Sequence, residues 1–168
     1  MTILDIPIFS RTRRNHGLEH ATLTILAGRF PYRSLAGYST PAGYFIFGDV
    51  PTVDLHEAVQ QAHTRLCRGE THLAIHVNCG TNFAVSGFIA GLLAWLGLAG
   101  ADTRRERVRR LPLAITLAAL GCIISQPVGP LVQSRITTCA DPGSLAVVEI
   151  RPFSFGPLKI HRVITQDR

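Results

Sequence analysis

Two stretches of this chain contain no charged side chain, and they limit its fold more than any other feature. Val77 through Ala101 and Leu111 through Ser134 are both uncharged, and the nine residues between them, DTRRERVRR, hold five Arg against one Asp and one Glu. About twenty helical residues rise about 30 Å, the thickness of a hydrocarbon core, so each stretch is long enough to cross a bilayer. A soluble alternative would bury both helices on every side. A chain of 168 residues has too little remaining material for that. The rest of the composition agrees: 46% of residues are hydrophobic and 17% charged, against about 25% charged in an ordinary soluble domain. Glycine and proline show no period, and four Cys are few for a disulfide scaffold.

The expected fold class is therefore an α/β membrane protein, a small mixed α/β polar domain interrupted by a two-helix transmembrane hairpin. Its parts are residues 1–79, the hairpin 80–134 with its basic turn at 102–110, and residues 135–168. Small residues suit close helix packing in lipid: Gly87 and Gly91 with Ala84 and Ala94, Ser86 with Ala90, Ala114 with Ala118, and Gly121, Ser125 and Gly129. Pro112 fits the first turn of the second helix, Pro127 and Pro130 are expected to kink or end it, and Trp95 suits an interface anchor.

The Arg-rich turn argues for a cytoplasmic loop between two membrane crossings. Basic residues nearer the amino terminus, among them Arg11, Arg13 and Arg14, pull the other way but lie farther from the crossings. No cleavable signal peptide is expected, because MTILDIPIFS lacks a basic n-region. The expected partners are the lipid bilayer and a second copy or another membrane protein at the small-residue faces. No nucleic acid is expected, since the net charge of +6 comes with no recognisable binding module.

In the polar portions the patterning predicts helices over Asn15 to Ala27, stopped by Gly28, and over Pro51 to Arg68, with Val53, Ala58, Ala62 and Leu66 on one face and Gly69 as stop. It predicts strands over Tyr44 to Phe47, His72 to Val77, Leu145 to Ile150 and Lys159 to Ile164, forming a small mixed sheet.

The chemistry concentrates at His16-Gly17-Leu18-Glu19-His20. On a helix His16 and His20 project from one face and can share a metal ion, with Glu19 beside them to polarise a bound water. The expected ion is zinc. A third ligand must come from elsewhere, and the candidates are His72, His76 and Cys79 in HLAIHVNC; two His with one Cys is a known catalytic set. Cys79 is alternatively a nucleophile served by a nearby His, at a helix start that lowers a thiol pKa. A metal-free alternative has the histidines facing solvent or lipid headgroups. Asn78 and Asn82 are read as caps, His56 and His63 as a solvated face, His161 as structural, and Cys67, Cys122 and Cys139 as buried thiols.

The strings RNHGLEHAT (14–22), GYFIFGD (43–49) and GETHLAIHVNCGTN (69–82), followed by the hairpin, resemble an uncharacterised bacterial membrane-protein family. The resemblance implies a membrane protein with a small polar domain and supplies no activity or cofactor. The H-x-x-E-H element also resembles part of the inverzincin zinc-protease motif, without the downstream helix that would carry a further ligand Glu. The reading is a membrane-bound metal-dependent hydrolase, a zinc peptidase in which Glu19 acts as base and His16, His20, His76 and Cys79 supply ligands. The alternatives are a non-enzymatic membrane scaffold or complex subunit, and a hydrolase centred on Cys79.

Overall fold

The computed structural model describes residues 2–156 and 158–167. The chain divides into two units: Met1–His76 with Ser134–Arg168, and Val77–Gln133. Among the described residues there are four α-helices and a four-stranded antiparallel sheet.

The first unit is built on α1 (Pro7–Arg29) and α2 (Thr52–Cys67) packed on the sheet. Pro7 occupies the first turn of α1, where its missing amide removes no hydrogen bond. The helix therefore begins well before Asn15 and runs past Gly28, whose surroundings are open. From Asn15 to Leu26 almost every residue of α1 is buried. In α2 the buried face is Leu55, Ala58, Val59, Ala62 and Leu66; Val53, expected inside, is 72% exposed at the helix start.

The sheet order is β1 (Ala36–Thr40), β2 (Gly43–Phe47), β4 (Leu158–Asp167), β3 (Leu145–Phe155). All three pairings are antiparallel, so the expected mixed sheet is corrected to an antiparallel one. β1 has little strand propensity in AGYST and is held by pairing with β2. Tyr44, Ile46, Val163 and Leu145 point into the core with Leu18, Leu26 and Leu55. The expected strand at His72 to Val77 is instead a 3-10 turn over Thr71–Ala74 that buries Leu73 and Ala74. Tertiary burial of those two adjacent residues outweighs the alternating pattern.

The amino-terminal arginines are used inside this unit. Arg11 donates to the Thr165 carbonyl and pairs with Asp167, while Arg13 donates to the carbonyls of Arg135 and Thr138.

The second unit is the antiparallel pair α3 (Gly80–Leu98) and α4 (Arg104–Val132). Both are long and apolar enough to cross a membrane. Phe83, Phe88, Trp95, Ile115 and Ile123 are all more than 60% exposed. Their contact is made by small residues: a side chain on Gly121 would overlap the Ala90 backbone, and one on Gly97 the Ala114 backbone. The Ser86 and Ser125 hydroxyls share a hydrogen bond of 2.6 Å between the helices. Gly87 and Gly91, expected in this seam, have open space around them instead.

The basic stretch is not a turn for most of its length. Thr103 and Glu106 form a capping box that starts α4 at Arg104. Pro112 consequently lies inside the helix, as do Pro127 and Pro130. Each proline removes one backbone bond but has a helical φ of its own, so the rest of the ladder carries the helix through. The chain leaves α geometry only at Gln133–Thr137, which forms a π turn.

Candidate metal centre

His16 and His20 lie one turn apart on α1, and their ring centroids are 4.3 Å apart at an interplanar angle of 63°. The His16 Nδ1 is 2.9 Å from the Thr137 carbonyl oxygen, and the His20 Nδ1 is 2.8 Å from the Ala74 carbonyl oxygen. A carbonyl only accepts, so each Nδ1 carries a proton, which leaves Nε2 as the ring atom able to ligate an ion. Metal-ligating histidines are characteristically oriented in this way, by a carbonyl or carboxylate behind the ring.

Two backbone segments make this possible. The 3-10 turn brings the Ala74 carbonyl to His20. The segment after the π turn crosses α1 at Gly17, where a Cβ would overlap the Cys139 carbonyl, while the Cys139 amide donates to the Arg13 carbonyl. Gly17 therefore lets Thr137 reach His16.

Glu19 is 3% exposed and turned toward β1. Its Oε2 accepts from the Ser39 hydroxyl at 2.5 Å, and a side chain on Gly37 would overlap its carboxylate. Farther along the same side, Tyr44 donates to the Thr22 hydroxyl at 3.0 Å, since Thr22 spends its own proton on the Leu18 carbonyl. Burial, with the Glu19 charge adding to it, pushes the Tyr44 phenol well above the ordinary tyrosine range.

The ring of His76 stands 5.7 Å from that of His20, centroid to centroid. His72 is exposed on the 3-10 turn. Cys79 is the N-cap of α3, and its Sγ accepts from the Thr81 amide at 3.4 Å. The cap is thus the thiol and not Asn78 or Asn82; the Asn82 side chain donates to the Val77 carbonyl and accepts from Gln133. Cys79 belongs to the second unit; the histidine rings brought together within the first are those of His16, His20 and His76.

The other sequence candidates lie elsewhere. His63 bonds the Leu145 carbonyl through Nε2, and His56 is exposed. His161 is buried and bonded to Thr52. Cys67 and Cys122 are exposed and Cys139 is half-buried, a correction to the expectation of buried thiols. Ser39, Gly37 and Gly17 were not singled out by sequence reasoning. The glycine inside the His motif was the one available signal.

Fold and site together define a two-part protein: an α/β unit with an antiparallel sheet and a histidine pair on its buried helix, and a pair of long apolar helices. The chain belongs to the family described as a domain of unknown function (DUF6391), whose model matches residues 11–150. It is 40% identical over 151 residues to an uncharacterised protein of the cyanobacterium Picosynechococcus sp. (strain PCC 7002), covering 83% of this chain and 71% of that one. No solved structure matches.

Proposed function

We propose that this chain is a membrane-bound, metal-dependent hydrolase of the zinc-peptidase type, with α3 and α4 crossing a bacterial inner membrane and the α4 start on the cytoplasmic side. The single observation that carries the reading is the pair His16 and His20, with Nδ1 atoms both committed to backbone carbonyls. Surface histidines facing solvent or lipid have no need of such anchoring; two rings aimed by backbone carbonyls suit a shared ion.

The donor chemistry fits zinc. His16 and His20 would supply Nε2, and Cys79 a thiolate, which the positive start of α3 and the Thr81 amide stabilise. His76, beside His20, is the remaining imidazole candidate. A bound zinc supplies Lewis acidity and lowers the pKa of a coordinated water. Glu19 would take the water's proton, with Ser39 holding its Oε2 so that the carboxylate keeps one orientation. The partial likeness of H-x-x-E-H to inverzincins favours a peptide carbonyl as the target.

Membrane insertion is supported by the length of both helices and by their exposed apolar side chains. Five arginines at the start of α4 favour the cytoplasmic face there.

A second reading, a non-enzymatic membrane subunit, is favoured by the open surroundings of Gly87 and Gly91, a small-residue row that α4 does not cover and that suits a neighbouring helix.

The deciding experiment is metal analysis of detergent-purified protein. Wild type should carry about one zinc per chain, and His16→Ala, His20→Ala and Cys79→Ala should each lose most of it with helix content retained, since structural or catalytic zinc needs three or four protein ligands. Metal-free wild-type protein prepared without chelators would overturn the reading.

A further inference from the structure

The side of α1 turned away from the sheet is covered along the middle of the helix and bare at its start. Asn15, Leu18 and Thr22 mark the sheet side: Asn15 bonds Thr40 and Thr165, Leu18 lies in the core, and Thr22 meets Tyr44. Successive helical residues advance by about 100°, so Ile6, Phe9, Arg13, Gly17 and His20 fall on the opposite side. The 3-10 turn covers that side at His20, and the 137–139 segment covers it at Gly17 and Arg13. There the cover ends. Phe9 and Ile6 are 48% and 43% exposed, Ile8 on the flank 62%, and Ile3 on the preceding 3-10 turn 72%. Single exposed apolar residues are ordinary, but a contiguous group of large ones marks a contact surface.

The occupant is indicated by what else lies on this side. The 3-10 turn leads to His76, the last residue before the second unit, and the 137–139 segment follows Ser134, the first residue after it. Arg13 donates to the carbonyl of Arg135. Arg135 is exposed, and it is the first charged residue after the uncharged stretch Leu111 through Ser134. In a chain whose α4 crosses a bilayer, such a residue stands at headgroup level. Ile136, beside it, is also exposed.

The charges agree with a lipid surface. Asp5 is the one carboxylate among residues 2–14, and it is spent accepting from the Thr2 amide and hydroxyl. Arg11 and Arg14 are paired with Asp167, which leaves Arg135 to meet phosphates. A protein groove takes one stripe of a helix, whereas Ile8 lies about 100° round from Phe9. Apolar side chains on more than one side of a helix end suit a fluid that closes around it.

We propose that residues 3–9 insert shallowly into the lipid surface as an interfacial anchor, which rests on the reading that α3 and α4 cross a membrane. Ile3, Ile6, Ile8 and Phe9 enter the upper acyl region, and Arg135 meets the phosphates. Because His16 and His20 follow on the same helix, the anchor fixes their height above the lipid.

The test uses the full chain in phosphatidylcholine vesicles whose acyl chains carry bromine, a contact quencher, either close to the headgroup or close to the chain end. Trp95 is the sole tryptophan, so Phe9→Trp in a Trp95→Phe background places the only indole at the anchor. Its emission is expected at shorter wavelength than that of an exposed indole, with a greater loss of intensity to the shallow bromine than to the deep one. Ile6→Trp repeats the measurement on the same side of the helix should Phe9→Trp fail to fold. Tyr32→Trp, at a fully exposed position beyond the other end of α1, is expected to lose no intensity. Wild-type Trp95 reports on α3 independently. Quenching of Trp95 without quenching at residue 9 or 6 would overturn this proposal alone, as would equal quenching at residue 32. An unquenched Trp95 would overturn the membrane-crossing reading and the anchor with it.

Discussion

The backbone carbonyl of Cys139 occupies the space that a side chain on Gly17 would need. This contact fixes the height at which the 137–139 segment crosses α1, and with it the 2.9 Å bond from His16 to Thr137. Gly17→Ala should therefore destabilise the polar unit by about 1–3 kcal/mol, the usual cost of overpacking against rigid backbone. Thermal unfolding followed by circular dichroism measures this. An unchanged midpoint would show that the segment can move aside.

Glu19→Gln keeps the shape of the carboxylate and its acceptor oxygen for Ser39 but removes the base. If Glu19 moves a proton in the reaction, the variant should retain metal while turnover falls about 10²-fold or more. Ser39→Ala should retain metal too, with a smaller loss, because it only frees the carboxylate to reorient. Loss of metal in Glu19→Gln would make this residue a ligand or a structural anchor instead.

Gly37→Ala probes the same carboxylate from the sheet side. The added methyl would meet the Glu19 carboxylate and not backbone, so the side chain has to swing away. Activity should fall further than stability, which comparison of turnover with unfolding midpoint reads directly.

His161 gives the polar unit a pH dependence of known sign. Its pKa is depressed in the folded state by burial and then by Lys159, whose own charge is paired with Asp49. Below about pH 6.5, the ordinary histidine value, the unfolded chain takes up a proton that the folded chain does not. The stabilisation is thus present above that pH and is lost as pH falls toward the folded pKa. Denaturant midpoints measured between pH 7.5 and 5 should show this slope in wild type, and a shallower one in His161→Gln.

Topology is open to direct labelling. A cysteine placed at Arg105, in a background where the exposed Cys67 and Cys122 are replaced, should resist a membrane-impermeant maleimide in intact cells and react after permeabilisation. Labelling in intact cells would reverse the orientation.

The histidine pair was legible because an i,i+4 spacing on any helix fixes which side chains share a face. The two apolar helices were legible from the absence of charge alone. Ser39, Thr137 and Ala74 were not, because each meets the motif through tertiary contact: one through a strand of weak propensity, the others through carbonyls, which every residue carries. The alternation in HLAIHV was real, but Leu73 and Ala74 are neighbours that both bury, and no strand can put neighbours on one face. The prolines follow a related rule: Pro112 suits a helix start only where no stronger signal precedes it, and Thr103 with Glu106 already starts the helix at Arg104.

In the sheet, β4 lies between β2 and β3, yet its residues 158–167 are the last of the four strands to be synthesised. Until they emerge, β1 and β2 form a lone hairpin with an open edge, while both apolar helices are already complete. A ribosome making this chain must commit the helices to their surroundings before the α/β unit can close. Any truncation that removes β4 would leave two unpaired strand edges, and the expected product is an aggregating or degraded protein and not a milder version of this one.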